Sequence, residues 1–250
     1  AIVCASSRGL GRACAEALAQ AGCAVVINGR RRELVDAAVE ALRRTTGAAI
    51  TGVVADVSDP AGQQALLAAC PEPDILVNNN GGPPLRDFRA LTREQILDGV
   101  VANMVTAIEL TQQVIDPMVR RRFGRIVNIT SGTVKMPLAG LDLSSGARAG
   151  LTAFLAGVAR SVAADNVTIN FLLPGAFETD RLRGTLEGAA GKQGTTYEAV
   201  AAQRKGTIPA RRFGDPAELG AMCAFLCSAR AGFITGQSVV IDGGAYPGTF

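Results

Sequence analysis

The chain has 250 residues, 48% of them hydrophobic, with a net charge of +3 and no histidine. That length suffices for one large α/β domain with a substantial core. Scattered charge, an aromatic content of 4% and the lack of a membrane-length apolar run disfavour nucleic-acid binding and a membrane span; without histidine, histidine catalysis is excluded and zinc ligation is poorly supported.

The apolar run Ile2–Ala5 reads as a buried strand. It breaks into Ser6, Ser7, Arg8, Gly9, Leu10 and Gly11, after which Ala13, Ala17, Leu18 and Ala21 recur at helical spacing. Strand, glycine turn and helix suit a phosphate site, because the turn brings N–H groups to an anion and the helix start adds a positive dipole end. A side chain at Gly11 would obstruct the close approach. Ala24–Asn28 is the second strand, and the basic residues Arg30 beyond it and Arg8 in the turn favour a ribose 2′-phosphate, hence NADP over NAD, with NAD still possible. A helix is expected over Glu33–Arg44 and a third strand over Ala49–Ala55, closing in Asp56 and Val57. Asp56 either meets the adenine amine or caps the next turn.

Asp74–Asn78 is strand four, followed by Asn79, Asn80 and Gly81 in a loop suited to lining a crevice. Leu91–Arg122 is helical in two pieces around Asn103, Arg125–Thr130 is strand five, and Ser131 follows it. A long helix covers Leu143–Ala164. Val167–Leu173 is strand six, ending at Pro174 and Gly175. The glycine-rich segment Thr179–Gly206 is the natural mobile lid. Asp215–Cys227 is a capped helix and Ser238–Ile241 the last strand. The expected fold is α/β: one doubly wound Rossmann-type parallel sheet of about seven strands in a single domain, with helices on both faces. Six cysteines without a Cys-x-x-Cys pattern are expected as free core thiols, which suits a reducing cytoplasm. The sequence begins at Ala1 without Met, which leaves open what precedes it.

With these residues assembled, the chain resembles the short-chain dehydrogenase/reductase family, particularly its β-ketoacyl-carrier-protein-reductase-like members. The resemblance rests on Ser6–Gly11, Asp56-Val57, Asn78-Asn79-Asn80-Gly81, Asn103 and Asn128-Ile129-Thr130-Ser131. It continues through Pro174-Gly175 with Thr179, and Ile234-Thr235-Gly236-Gln237 with Asp242-Gly243-Gly244. It implies a nicotinamide cofactor held by these residues, a small carbonyl or alcohol substrate, and a homodimer or homotetramer. Three departures stand out. Ala5 replaces the first turn glycine. Asn80 replaces the alanine of the Asn-Asn-Ala-Gly loop, adding an amide near the crevice. Of the family's Asn, Ser, Tyr and Lys, the positions here hold Asn103, Ser131, Ser144 and Arg148, and no tyrosine or lysine lies between Met136 and Asp165.

A phenol starts near pKa ~10 and can be tuned to give a proton, whereas an alkanol such as Ser144 is far weaker and a guanidinium stays protonated. Losing a positioned acid costs roughly 10²–10⁴-fold, a handicap that still leaves hydride transfer to the cofactor. The first expectation is therefore an NADP-dependent oxidoreductase. In it, Ser131, Ser144 and Arg148 polarise the carbonyl while water delivers the proton. For Arg148, a contact to the cofactor ribose is the alternative; for Ser144, with Ser145 and Asp142, helix capping; for Ser131, a turn hydrogen bond. Two other readings stay open: a catalytically weak dinucleotide-binding sensor or assembly subunit, and non-redox chemistry on the same fold. Tyr197 or Tyr246 could supply the phenol only if the fold brings one to Ser131.

Overall fold

The computed structural model describes residues 1–249. The chain runs β1 (Ile2–Val3), α1 (Gly9–Gln20), β2 (Val25–Gly29), α2 (Arg32–Thr46), β3 (Ile50–Val54), α3 (Pro60–Ala69), β4 (Ile75–Asn78), α4 (Arg93–Val100), α5 (Thr106–Arg121) and β5 (Gly124–Ile129). It continues with α6 (Asp142–Val162), β6 (Val167–Pro174), α7 (Asp180–Gln193), α8 (Tyr197–Gly206), α9 (Pro216–Cys227) and β7 (Ser238–Ile241). The seven strands form one sheet in the order β3-β2-β1-β4-β5-β6-β7, every pair parallel. This is the doubly wound arrangement that strand–helix alternation implies.

Alternation along the strands builds two cores. Ile2 joins a cluster with Leu66, Leu110, Met118, Leu151 and Leu155 on one face, while Val3 joins Leu18, Leu42, Leu219 and Leu226 on the other. Two helices unite the expected helix Leu91–Arg122 through a π turn at Val101–Val105, and Asn103 sits at its centre. Such bulges occur often at functional positions because they re-aim a side chain. Helix α3 was not expected as such, although its signal is present: Asp59 accepts the Ala61 N–H at 3.1 Å and Pro60 opens the first turn. The segment expected as a lid consists of α7 and α8, capped by Thr179 and Thr196 and closed on a small core of Leu186, Val200, Ile208 and Phe213. All six cysteines are free, and no helix among the described residues is long and apolar enough to cross a membrane.

Strand β1 stops at Val3 because Ala5 takes a positive φ of 43° to start the turn. A left-handed non-glycine residue costs ~1–2 kcal/mol, and glycine returns part of that as lost chain entropy. Ala5→Gly is therefore expected to stabilise the fold by about 0.5–1 kcal/mol, read as a melting temperature higher by a few degrees. An unchanged or lower melting temperature would contradict the strain.

Candidate active site

Because the strands are parallel, the segments that follow them all emerge at one edge of the sheet. The order reverses between β1 and β4, where the connections leave a crevice. Asn79 bridges that switch point, its amide donating to the Cys4 and Ala5 carbonyls at 3.3 and 3.2 Å. The glycine turn lies beside it. Gly9 needs its positive φ of 59°, and a Cβ there would meet only Thr179 Cγ2 at 3.9 Å, so the turn and the start of α7 face each other. A Cβ on Gly11 would sit 2.6 Å from the Ala5 carbonyl oxygen and 2.7 Å from Asn79 Nδ2. Gly11 is thus required by the packing of α1 against the turn after β1 and against Asn79, as well as by any ligand. No side chain caps α1 and its first turn carries no acidic residue, which leaves its N-terminal N–H groups to an anion.

The remaining nucleotide-side residues divide by exposure. Ser6 is fully buried: its hydroxyl donates to the Val3 carbonyl at 2.6 Å and accepts the Asn28 N–H at 3.0 Å, so it staples the turn. Ser7 donates its N–H to the Asn28 carbonyl, and Arg8 stands exposed. Arg30 Nη1 lies 3.5 Å from Asp56 Oδ2, both partly in solvent, while Asp56 Oδ1 accepts the Ser58 N–H at 2.9 Å. The turn-cap alternative for Asp56 is therefore present in the fold. Val57 is buried under the edge. Gly175 packs so closely on Asp242 that a Cβ would lie 2.6 Å from the Asp242 Cβ, and Thr179 Oγ1 caps α7 by accepting the Leu182 N–H at 3.3 Å. Leu10 is half-buried against the α1-side core, Pro174 is half-buried at the end of β6, and Gly81 donates its N–H to Asn80 Oδ1 at 2.8 Å.

The Asn80 amide donates to Ser58 Oγ at 2.8 Å and to the Ala102 carbonyl at 3.1 Å. It ties the loops after β3 and β4 to the π turn, and its own carbonyl accepts from Arg148 Nη2 at 3.2 Å.

Arg148 is the centre of the second half of the site. One helical turn from Ser144, as the four-residue spacing requires, its Nε donates to Ser144 Oγ at 3.2 Å and its Nη1 to the Ile129 carbonyl at 2.8 Å. Both residues are buried. Ser144 does not cap α6; Ser145 donates to the Leu141 carbonyl and Asp142 accepts the Gly140 N–H instead. Arg148 forms no ion pair among the described residues. Burial pulls its pKa down to about 10, with the Arg181 charge adding to the effect, so it remains a cation at neutral pH.

Ser131 makes the turn hydrogen bond that was the alternative to substrate contact. Its oxygen accepts from the Thr133 N–H at 3.2 Å and the Thr133 hydroxyl at 3.0 Å. Those bonds occupy both lone pairs of the oxygen, so what the group retains is an O–H donor. Asn103 donates to the Gly99 carbonyl at 3.2 Å, while Asn103 Oδ1 and Asn78 Oδ1 are buried without a partner among the described residues. Both residues line, with Cys4, Asn80 and Arg148, a cavity of about 20 Å³, which is room for one water. Burial raises the Cys4 thiol to about 12, so it is inert there.

Tyr197 stacks on Arg183 in α7–α8 at 5.3 Å, and the Tyr246 ring lies 5.7 Å from Lys135 Nζ, in the loop beyond Ser131. The residue that sequence reasoning missed is Arg181. It reaches from α7 to the Pro83 carbonyl at 3.4 Å, and its only sequence signal was a position two residues beyond Thr179.

A switch-point crevice with an uncapped glycine turn on one side and a serine–arginine cluster on the other defines a dinucleotide-fold α/β protein. The family model described as Enoyl-(Acyl carrier protein) reductase matches residues 4–246. A 3-oxoacyl-[acyl-carrier-protein] reductase FabG of Vibrio cholerae is 33% identical, over 98% of this chain and 96% of that protein. Dehydrogenase/reductase SDR family member 4 of Oryctolagus cuniculus is 32% identical, over 98% and 92%. Among solved structures, YwfH, described as an NADPH dependent reductase, superposes with a TM-score of 0.93 at 28% identity, covering 99% of this chain and 98% of that one. L-sorbose reductase from Gluconobacter frateurii, solved with NADPH and L-sorbose, gives a TM-score of 0.91 at 26% identity, covering 97% and 94%. The chain belongs to the short-chain dehydrogenase/reductase family.

Proposed function

We propose that the chain is an NADPH-dependent carbonyl reductase whose substrate oxygen is polarised by Arg148 and Ser131 in place of a phenol. The observation that carries this reading is the buried, unpaired Arg148 guanidinium, held by Ser144, Ile129 and Asn80 at 2.8–3.2 Å. The residues present fit the nucleotide, since the Gly9–Gly11 turn leaves the α1 N-terminus open to a diphosphate. When bound, NADPH supplies the hydride. The chain's own part is electrostatic. Arg148 and the Ser131 O–H donate to the carbonyl oxygen as negative charge develops on it, and the low-dielectric crevice strengthens both bonds. Water completes the alcohol by giving the proton. Asn103 and Asn80 position the π turn and the Arg148 acceptor.

The test is loss of NADPH absorbance with a panel of ketones and aldehydes. Activity unchanged in Arg148→Ala or Ser131→Ala would overturn the mechanism. NADPH binding without turnover on any carbonyl would replace the reductase by a dinucleotide-binding sensor or assembly subunit.

Arg30 carries the preference for the 2′-phosphate. Its exposed pair with Asp56 is worth only ~0–1 kcal/mol, so a phosphate dianion displaces the carboxylate readily. Arg30→Ala is expected to raise the NADPH Kd about tenfold or more by calorimetry, since a charge-assisted hydrogen bond is worth ~1.5–3 kcal/mol. NADH binding should stay unchanged; an equal loss for both nucleotides would contradict the assignment. The chain is further read as a homo-oligomer, as the family resemblance implies. A monomeric mass by light scattering would exclude that.

A further inference from the structure

The first turn of α7 crosses the mouth of the crevice. Thr179, its N-cap, faces Gly9 in the turn after β1, where an added Cβ would meet Thr179 Cγ2 at 3.9 Å. Two residues on, Arg181 lies over the loop after β4. Its Nη2 donates to the Pro83 carbonyl at 3.4 Å, and a Cβ on Gly82 would sit 2.9 Å from Nη2 and 3.2 Å from Nη1. Those two loops flank the switch point between β1 and β4. Among the described residues, the bond to Pro83 is the one hydrogen bond from an α7 side chain that leaves the α7–α8 segment. A cation in the first turn opposes the helix dipole, so Arg181 serves the contact across the crevice rather than the helix. The segment itself is a unit: α7 packs on α8 around Leu186, Val200, Ile208 and Phe213. It leaves and rejoins the sheet through one neck, where Glu178 donates its N–H to the Gly214 carbonyl and Gly214 its own to Ala176, both at 2.9 Å. Beneath it, the cavity beside Arg148 has room for one water, so a substrate reaches that guanidinium only when the crevice widens.

We propose that Arg181 latches the α7–α8 lid across the crevice, so that release of its contact with Gly82 and Pro83 sets how fast the nucleotide enters and leaves. The inference rests on the NADPH-binding reading and adds the step that controls access. A guanidinium on one neutral carbonyl in solvent is a weak tie, which suits a contact that breaks in every cycle. The latch holds the lid and not the ligand, in the free and the bound protein alike. Weakening it therefore speeds entry and exit by one factor and leaves affinity unchanged. Gly82 gives access to the same contact from the other side. Gly82→Ala sets a methyl group against the far end of a flexible side chain, so Arg181 shifts while the fold stays intact. The methyl brings no group that could bind a nucleotide.

Stopped-flow NADPH fluorescence on the full chain, joined with amide hydrogen exchange across α7, tests the latch. Arg181→Ala and Gly82→Ala are each expected to raise the association and dissociation rates together by about three- to tenfold, with Kd moving less than about twofold. The double variant should add little to either single one, because both break one contact. Exchange in α7 should quicken in both variants without nucleotide. A faster dissociation alone, with Kd weakened to match, would make Arg181 a nucleotide contact and overturn the latch. Unchanged rates and exchange in both variants would overturn it as well. If the unsubstituted chain binds no NADPH while α7 exchange still quickens in both variants, the latch stands and the nucleotide reading falls.

Discussion

Arg148→Ala is expected to lower kcat by about 10²–10³, the effect of removing a donor aimed at developing charge in a water-poor site. The nucleotide is expected to bind as before. A raised NADPH Kd with little change in kcat would instead assign the guanidinium to the cofactor ribose, the alternative left open by the sequence. Arg148→Lys should recover part of the rate, because it keeps the charge but loses the fork. Tyr246→Phe separates proton sources: full activity is expected if water gives the proton, and a loss as large as that of Arg148→Ala would make Tyr246 the donor. The pH dependence has a definite sign. Arg148 is cationic below about 10, so activity should persist through neutral pH and fall as pH rises through about 10. Its folded pKa lies below the unfolded value, so the charged form is the one that folding disfavours. That cost is present in full below about 10 and relaxes as pH rises from there to the unfolded value. Arg148→Met should accordingly cost far less stability than activity.

Gly11→Ala is the second large effect. Its Cβ would meet backbone and amide atoms, Ala5 O at 2.6 Å, Asn79 Nδ2 at 2.7 Å and Ser6 Cα at 3.0 Å, and none is the free end of a flexible chain. A destabilisation of about 2–3 kcal/mol is expected in denaturant, from overpacking. Loss of NADPH binding should accompany it, because displacing Asn79 opens the bridge between β1 and β4. Gly9→Ala makes the contrast: its φ of 59° costs ~1–2 kcal/mol, yet the space is open. If the two variants unfolded alike, the close packing at Gly11 would not be the cause.

The sequence by itself determined the strands, their order and most of the helices, but not α3, α7 and α8. Hydrophobic period, the glycine turn and the Asp and Pro caps are local signals, and seven strands alternating with helices leave a parallel sheet as the economical topology. That topology already places Gly9, Arg30, Asp56, Asn79, Ser131 and Gly175 at one edge, since parallel strands share an end. Even the break around Asn103 was expected. Only the tertiary structure decided what the side chains do. Asn80 turns to Ser58 and Ala102, Ser6 is consumed inside the turn, Arg30 leans on Asp56, and Arg148 finds carbonyls 19 and 68 residues away. A polar side chain's partner is set by whichever donor or acceptor the packed chain brings within about 3 Å. Residue type and spacing carry no record of that choice.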